Sequence, residues 1–441
     1  MTHSIGSWLR LLIGFVLVTL SFSAAALPCA TPGKDGAGGV LNAPINRYWP
    51  ATLSAGVGAT SITLGTSIGA GAVIVDGDLL LVIQMQDAAI DSTNTSYGSG
   101  TAGDPGLGST ALNSAGLYEF VRATTAVPTT GGTVTLLGGS GGGLLNAYNN
   151  AAAFGTQGQR RFQVVRVPQY TTATPGSGLT ATAWNGTAGG VLVFDVAGAL
   201  TLGGATVSVN GLGMRGGGAR QLGGGAGVNT DYRTLATVSN NGSKGEGILG
   251  TPRYLNNGGA LLDSGVEGYP NGSHVRGAPG DAGGGGTDGN PAANNENTGG
   301  GGGSNAGTGG KGGKGGNAWN RAAPSGGWGG FDYSTSVGAG RLFLGGGGGP
   351  GATNNATGSP AAGFASSGAA GGVLVMIRAG SITGSANDTS GANANNTVAN
   401  DGSGAAYGAR GVYLNLRLKF DQNTFNLNDR DPGRLSLKRW V

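Results

Sequence analysis

The sequence predicts an all-β protein: an N-terminal antiparallel β region followed by a Gly-rich β domain with close-packed extended (polyglycine-II-like) segments. Three observations predict it. Apolar and polar residues alternate at a period of two over 60–64, 79–86, 117–123, 133–137 and 162–167, the pattern of strands with one covered face. Glycine fills 97 of 441 positions, about three times its usual share. Charged residues make up only 10%, too few for the solvated, self-repelling character of a disordered chain.

The elements follow in order. Arg10 and the apolar run 11–20 precede Ala24, Ala25 and Ala26, which reads as a secretory signal peptide over 1–26. The apolar run is about half the roughly 20 residues that a membrane span needs. No later segment is long and apolar enough to cross a bilayer as a helix. Cys29 is the single cysteine, so no intrachain disulfide is expected, and backbone hydrogen bonds and core burial must hold the chain. Residues 27–50 read as an extended leader with turns at 32–36 and at Pro44. A turn at Asp76, Gly77 and Asp78 opens the run 79–86, whose polar Gln84 and Gln86 mark a half-buried strand. Residues 87–116 form a polar surface loop. Pro168 stops the strand at 162–167, because it has no N–H to donate to a ladder.

The ten residues 189–198 resemble 371–380: both open Gly-Gly-Val-Leu-Val. These are expected to be related strands that bracket the Gly-rich domain and pair near each other. Between them lie near-pure glycine runs at 283–286, 299–303, 309–316 and 345–349, punctuated by Trp319, Trp328, Phe331, Phe343 and Phe364. Glycine runs of this kind can adopt an extended three-fold helix with N–H and C=O pointing sideways. Runs laid side by side then satisfy each other's backbone groups. Near the C-terminus Leu414, Leu416, Leu418 and Phe420 alternate with polar residues, which reads as one more strand. The divisions are a signal peptide at 1–26, an N-terminal β domain at 27–185, a glycine-rich β domain at 186–404 and an atypical basic tail at 405–441. The abrupt change in composition suggests a frame-shifted or truncated end.

The formal charge of +4 is carried by the ends. Setting aside Arg10, and the seven basic and three acidic residues of 410–441, leaves 17 basic against 18 acidic residues in 27–409. That near-neutral body lacks the clustered basic footprint of a nucleic-acid binder. With His3 in the signal peptide, the one remaining histidine, His274, and one cysteine cannot supply an ordinary zinc site. No Gly-x-Ser-x-Gly elbow accompanies His274, which reads as a plain loop histidine. Glu119, Asp195, Glu246, Asp263 and Glu267 are the candidates for paired-carboxylate glycoside chemistry. Asp76 and Asp78 with Asp87 and Asp91 are candidates for a hard-cation site. Asp288 closes 283–288, which fits the first six places of a calcium-binding glycine repeat but carries Asn290 where an apolar residue belongs. Ordinary turn and loop chemistry accounts for Asp76, Asp78, Asp87 and Asp91, a chance match within polyglycine accounts for Asp288, and no cofactor is expected beyond this calcium alternative. No G-x-x-x-x-G-K-[ST] phosphate loop is present.

The runs 77–86, 116–121, 164–170, 184–190 and 213–217 resemble, in that order, a group of large glycine-rich exported adhesin-like surface proteins of Gram-negative bacteria. The resemblance spans 29–404. Members of the group continue into Ig-like repeats that this chain lacks, and the group implies no catalytic residues. The expectation is a secreted or cell-surface protein, adhesin-like or matrix-forming, that binds glycans or other surface or matrix components without catalysis. Long polar loops and exposed tyrosines and tryptophans would suit such partners. A carbohydrate-active enzyme on a β scaffold is the alternative, with Glu119, Asp195 and Glu267 the first residues to substitute.

Overall fold

The structure, a computed structural model, describes residues 30–94, 108–139, 142–221, 231–235, 241–287, 298–304, 326–331, 333, 340–352, 363–385 and the backbone of 415–420. The signal peptide, Cys29, Asp288, Trp319, the middle of the 87–116 loop, the glycine run at 309–316 and the tail after Phe420 lie outside these residues. The fold is all-β. In chain order the strands are β1 (Gly39–Leu41), β2 (Arg47–Pro50), β3 (Ser61–Leu64), β4 (Ile68–Gly69), β5 (Leu79–Gln86), β6 (Ala89–Ile90), β7 (Ser109–Ala111), β8 (Tyr118–Ala123) and β9 (Gly132–Leu137). They continue with β10 (Arg161–Val167), β11 (Gln169–Tyr170), β12 (Ala173–Pro175), β13 (Val191–Gly203), β14 (Tyr254–Asn257), β15 (Ala260–Asp263), β16 (Leu374–Ser385) and β17 (Asn415–Phe420). The expected extended leader at 27–50 thus contains two strands. Tyr48 and Trp49 on β2 are fully buried, because β2 pairs with β10 inside a sheet.

The first sheet has the order β3-β9-β8-β5-β10-β2-β4, and every pairing is antiparallel. β10 ends at Val167, before Pro168, as its missing N–H requires. The Pro168 carbonyl accepts the N–H of Asp195 at 2.8 Å, and the chain crosses to the second sheet through β11. That sheet has the order β1-β12-β13-β16-β17 with β11 also on β13, and every pairing is parallel. It takes strands from both sides of residue 185. The two repeat copies are its centre. Val191 pairs with Leu374 and Val196 with Ala379, one residue out of step with the sequence repeat. A register shift then restores the step, from Ala199 opposite Ser381 to Gly203 opposite Ser385.

The two sheets face each other. Leu79, Leu81, Ile83 and Met85 pack with Val165, Val191, Val193, Leu374 and Met376 between them. Leu80 and Val82, on the opposite face of β5, pack with Trp49, Phe162 and Val164 in a second core. β5 is therefore buried along all eight residues rather than on one face. Its glutamines are compatible with burial because backbone groups saturate them. Gln84 Nε2 donates to the carbonyls of Gln86, Asn149 and Arg161, and Gln84 Oε1 accepts the N–H of Asn149. Two other amides join the sheets. Asn46 donates to Val193 O at 2.7 Å and accepts from Val193 N at 3.0 Å; Gln163 does the same to Gly189 at 2.9 and 2.8 Å. A side-chain amide carries the same donor and acceptor as a peptide unit, so each stands in for a ladder rung.

The glycine runs form a third body of backbone packed on backbone. Its centre is 345–352. Gly345, Gly348 and Gly351 donate to Gly372, Ala369 and Ser366, while Gly346, Gly349 and Ala352 donate to Ser304, Gly301 and Thr298. On a third side Gly347 donates to Glu246, and the carbonyls of Gly347 and Pro350 accept from Gly283 and Gly286. All these bonds measure 2.8 to 3.0 Å. Each neighbour is met every third residue, whereas a strand meets its neighbours at a period of two. A three-fold extended helix has this period, and it lets a buried chain satisfy its polar groups on three sides. Such spacing leaves no room for side chains: a Cβ at Gly347 would overlap the carbonyl of Arg215, and one at Gly303 that of Gly346.

Candidate functional site

Each of the five candidate carboxylates has a defined partner. Glu119 on β8 accepts the N–H groups of Leu145 and Asn146 and so holds the 144–146 turn. Asp195 on β13 pairs through both oxygens with Arg378 of β16. Burial raises its pKa, against the opposing charge of Arg378. The Arg378 guanidinium also lies 4.0 Å over the Phe120 ring. Phe120 and Glu119 point to opposite faces of β8, so Glu119 and Asp195 do not converge. Glu246 is wholly buried against Arg215: Oε2 accepts Arg215 N and Nε, and Oε1 accepts Nη2 and the Thr251 hydroxyl. Burial pushes its pKa up, but the charge and hydrogen bonds of Arg215 outweigh that and hold it below the ordinary value.

The proposed cation set is not one site. Asp78 and Asp87 flank the eight residues of β5, which places them about 30 Å apart at roughly 3.3 Å per residue. Asp78 is buried and bonded to Arg166 at 2.8 Å and Lys34 at 2.6 Å. Asp87 accepts from Ser114 N and Asn149 Nδ2 at 3.0 and 2.9 Å. Asp76 is exposed beside Arg122, and Asp91 caps Thr93. The glycine repeat at 283–286 uses its carbonyls on other backbones: Gly283, Gly284 and Gly286 accept from Gly245, Gly301 and Gly242. No group of three or more metal-ligating side chains occurs among the described residues.

Asp263 and Glu267 both lie within electrostatic reach of Arg253, at and just after the β14–β15 hairpin. Arg253 forks onto both oxygens of Asp263 at 2.9 and 3.2 Å. The bond to Arg253 keeps the Asp263 carboxyl below its ordinary range. Glu267 accepts the N–H and hydroxyl of Ser273. Half-buried Tyr254 stands beside Arg253, with the guanidiniums of Arg220 and Arg253 at 4.7 and 5.3 Å from its ring and His274 edge-on at 5.8 Å. No family model matches the chain, nor does any curated protein or solved structure. The hairpin's own geometry must therefore carry the reading.

His274 is not a loop histidine. It is fully buried and bridged to Thr234 and Ser243. Ser273 Oγ at 3.5 Å and Glu267 at 4.0 Å both approach its Nδ1, and Nε2 is buried with no hydrogen-bond partner. A nucleophile–base–acid relay needs the serine and the acid on different ring nitrogens, so this trio is not one. Burial, reinforced by the charge of Arg220, lowers the His274 pKa to about 3. The folded state keeps the ring neutral, whereas the unfolded chain protonates it below about 6.5. Its contribution to stability is complete above about pH 6.5 and is lost as pH falls towards 3. Urea unfolding of the wild type against His274→Gln should show a difference that grows by about 1.4 kcal/mol per unit from pH 4 to 6.5 and is flat above. A pH-independent difference would mean that the ring is solvated.

Sequence reasoning missed three residues. Arg215 is the partner that makes Glu246 structural. Lys244 is fully buried, and its Nζ donates to the carbonyls of Tyr232, Val275 and Gly277. Burial pushes its pKa well below the ordinary lysine value. Asp281 is buried within the glycine bundle. The signal was available: a lone charge inside a glycine-rich stretch has only backbone for company, and it must be braced there. Tyrosines and tryptophans were expected to be exposed. Tyr48, Trp49, Tyr148, Trp184, Tyr232, Tyr269, Trp328 and Tyr333 are all buried, because large rings bury the most apolar area in a core.

Proposed function

We propose that this chain is an exported, adhesin-like or matrix-forming surface protein that binds glycans or other surface components without catalysis. The observation that carries the reading is the hairpin platform of Tyr254, Arg220, Arg253, Asp263 and Glu267. Two guanidiniums and two carboxylates balance in charge around a half-buried ring. They set fixed N–H donors beside oxygen acceptors, the complement of a sugar's hydroxyls. The neutral body adds no field that would favour a polyanion. The order of the glycine-rich motifs, which resembles exported adhesin-like proteins, supports the same reading.

The test is binding of the full mature chain to a polysaccharide panel and to whole cells. Saturable, competable binding is expected, and Tyr254→Ala or Arg253→Gln should weaken it at least tenfold, about 1.4 kcal/mol, with unchanged circular dichroism. A folded wild type that binds nothing on the panel sinks the proposal. A glycan-cleaving enzyme is favoured by one observation, that Asp263 and Glu267 both lie within electrostatic reach of Arg253. Release of reducing sugar that disappears in both Asp263→Asn and Glu267→Gln would replace the binding reading with it.

A further inference from the structure

Asp281 stands where several segments of the glycine bundle meet. Its Oδ1 accepts the N–H of Ile248 at 2.8 Å, and its carbonyl accepts the N–H of Ser304 at 2.7 Å. Its Oδ2 is buried and has no hydrogen-bond partner. The packing around it is close. A Cβ at Gly247 would overlap Oδ1, and one at Gly330 or Gly346 would overlap the Asp281 carbonyl. Two ionisable groups face it. Glu246 is engaged by Arg215, and the Tyr333 hydroxyl is bonded to Ser109 Oγ at 2.8 Å. An ionised carboxylate with one bare oxygen is costly in such a place, and the cost falls to that of an unpaired neutral hydroxyl when that oxygen carries a proton.

We propose that Asp281 is a proton-operated latch: protonated, it keeps the 246–248, 281–282 and 302–304 segments closed, and ionised, it releases them. Burial raises its pKa to about 7, with Glu246 adding to the shift. The closed state holds a proton that the open state gives up at the ordinary carboxyl value near 4. The opening constant therefore rises about tenfold per pH unit between roughly 4 and 7 and levels off above. The bundle is tightest in mild acid and loosest from neutrality upward.

Hydrogen exchange of the intact protein tests this at the amides of Ile248 and Ser304, with Val164 of β10 as a distant control. After correction for intrinsic exchange, protection at the two amides should fall about fiftyfold from pH 5 to 7 and then level off, while Val164 does not follow. Asp281→Asn should remove the dependence. The same pH profile in wild type and variant overturns the latch. The carboxyl carbon of Asp281 in labelled wild-type protein gives a second reading that needs no variant: a titration midpoint near 7 supports the latch, and one near 4 ends it.

Discussion

Gly347→Ala should unfold the glycine bundle, and Gly340→Ala should do nothing. Gly347 lies in the central run, where its N–H reaches Glu246 and its carbonyl takes the N–H of Gly283. A methyl group there overlaps the Arg215 carbonyl, and the obstacle is backbone, which has no rotamer to change. Relief requires the 345–352 and 213–218 segments to part, and parting them breaks bonds on both sides. Overpacking costs roughly 1–3 kcal/mol where neighbours can give. Each buried backbone group left unpaired adds about 1–3 kcal/mol, so a loss above about 4 kcal/mol is expected. Gly340 has nothing within 4 Å of an added Cβ, so its substitution should stay within about 0.5 kcal/mol. Thermal unfolding followed by circular dichroism compares the two. Equal melting temperatures would mean that the runs are not packed backbone to backbone. Gly303→Ala should behave as Gly347→Ala does, since it meets the carbonyl of Gly346.

What could be read in the sequence follows from which contacts side chains encode. β3, β8 and β9 fall on the alternating runs within a residue or two, because one covered face imposes a period of two; β5 and β10 match their runs as closely although both of their faces are covered. The 189–198 and 371–380 repeats do pair, since like strands present like surfaces. Their parallel direction was not legible: 191–194 and 374–377 are apolar on both faces, which suits any strand covered on both sides. The burial of Gln84 was hidden for a different reason, because its partners are backbone groups of Asn149 and Arg161, 65 and 77 residues away. Glycine content announced close approach, but no side chain specifies which run meets which. The candidate site was legible as a set of carboxylates and not as a geometry. Nothing local tells Asp195 that its partner is Arg378, 183 residues on, or Asp263 that its partner is Arg253.

Arg215→Met should cost about 3–5 kcal/mol, the usual result of stripping one partner from a buried ion pair. Glu246 has no water to turn to: its side chain is 0% exposed and that of Arg215 only 9%. Three of the four hydrogen bonds to the carboxylate come from Arg215, two from the guanidinium and one from its backbone N–H. The backbone bond and the Thr251 hydroxyl survive the substitution, but two donors without a positive charge do not compensate a buried anion. The variant carboxyl must therefore take up a proton at a higher pH than the unfolded chain does. In that window the folded variant holds a proton that the unfolded variant lacks, so its stability falls as pH rises. The deficit relative to wild type should be larger at pH 8 than at pH 5. Removing Glu246 as well, in Arg215→Met/Glu246→Met, should recover much of the loss, because a neutral pair of similar volume leaves no charge uncompensated. Urea unfolding of the four proteins at both pH values closes the cycle. Additive losses, with no recovery in the double variant, would show that the pair is solvated and that Glu246 is held by the bundle rather than by Arg215.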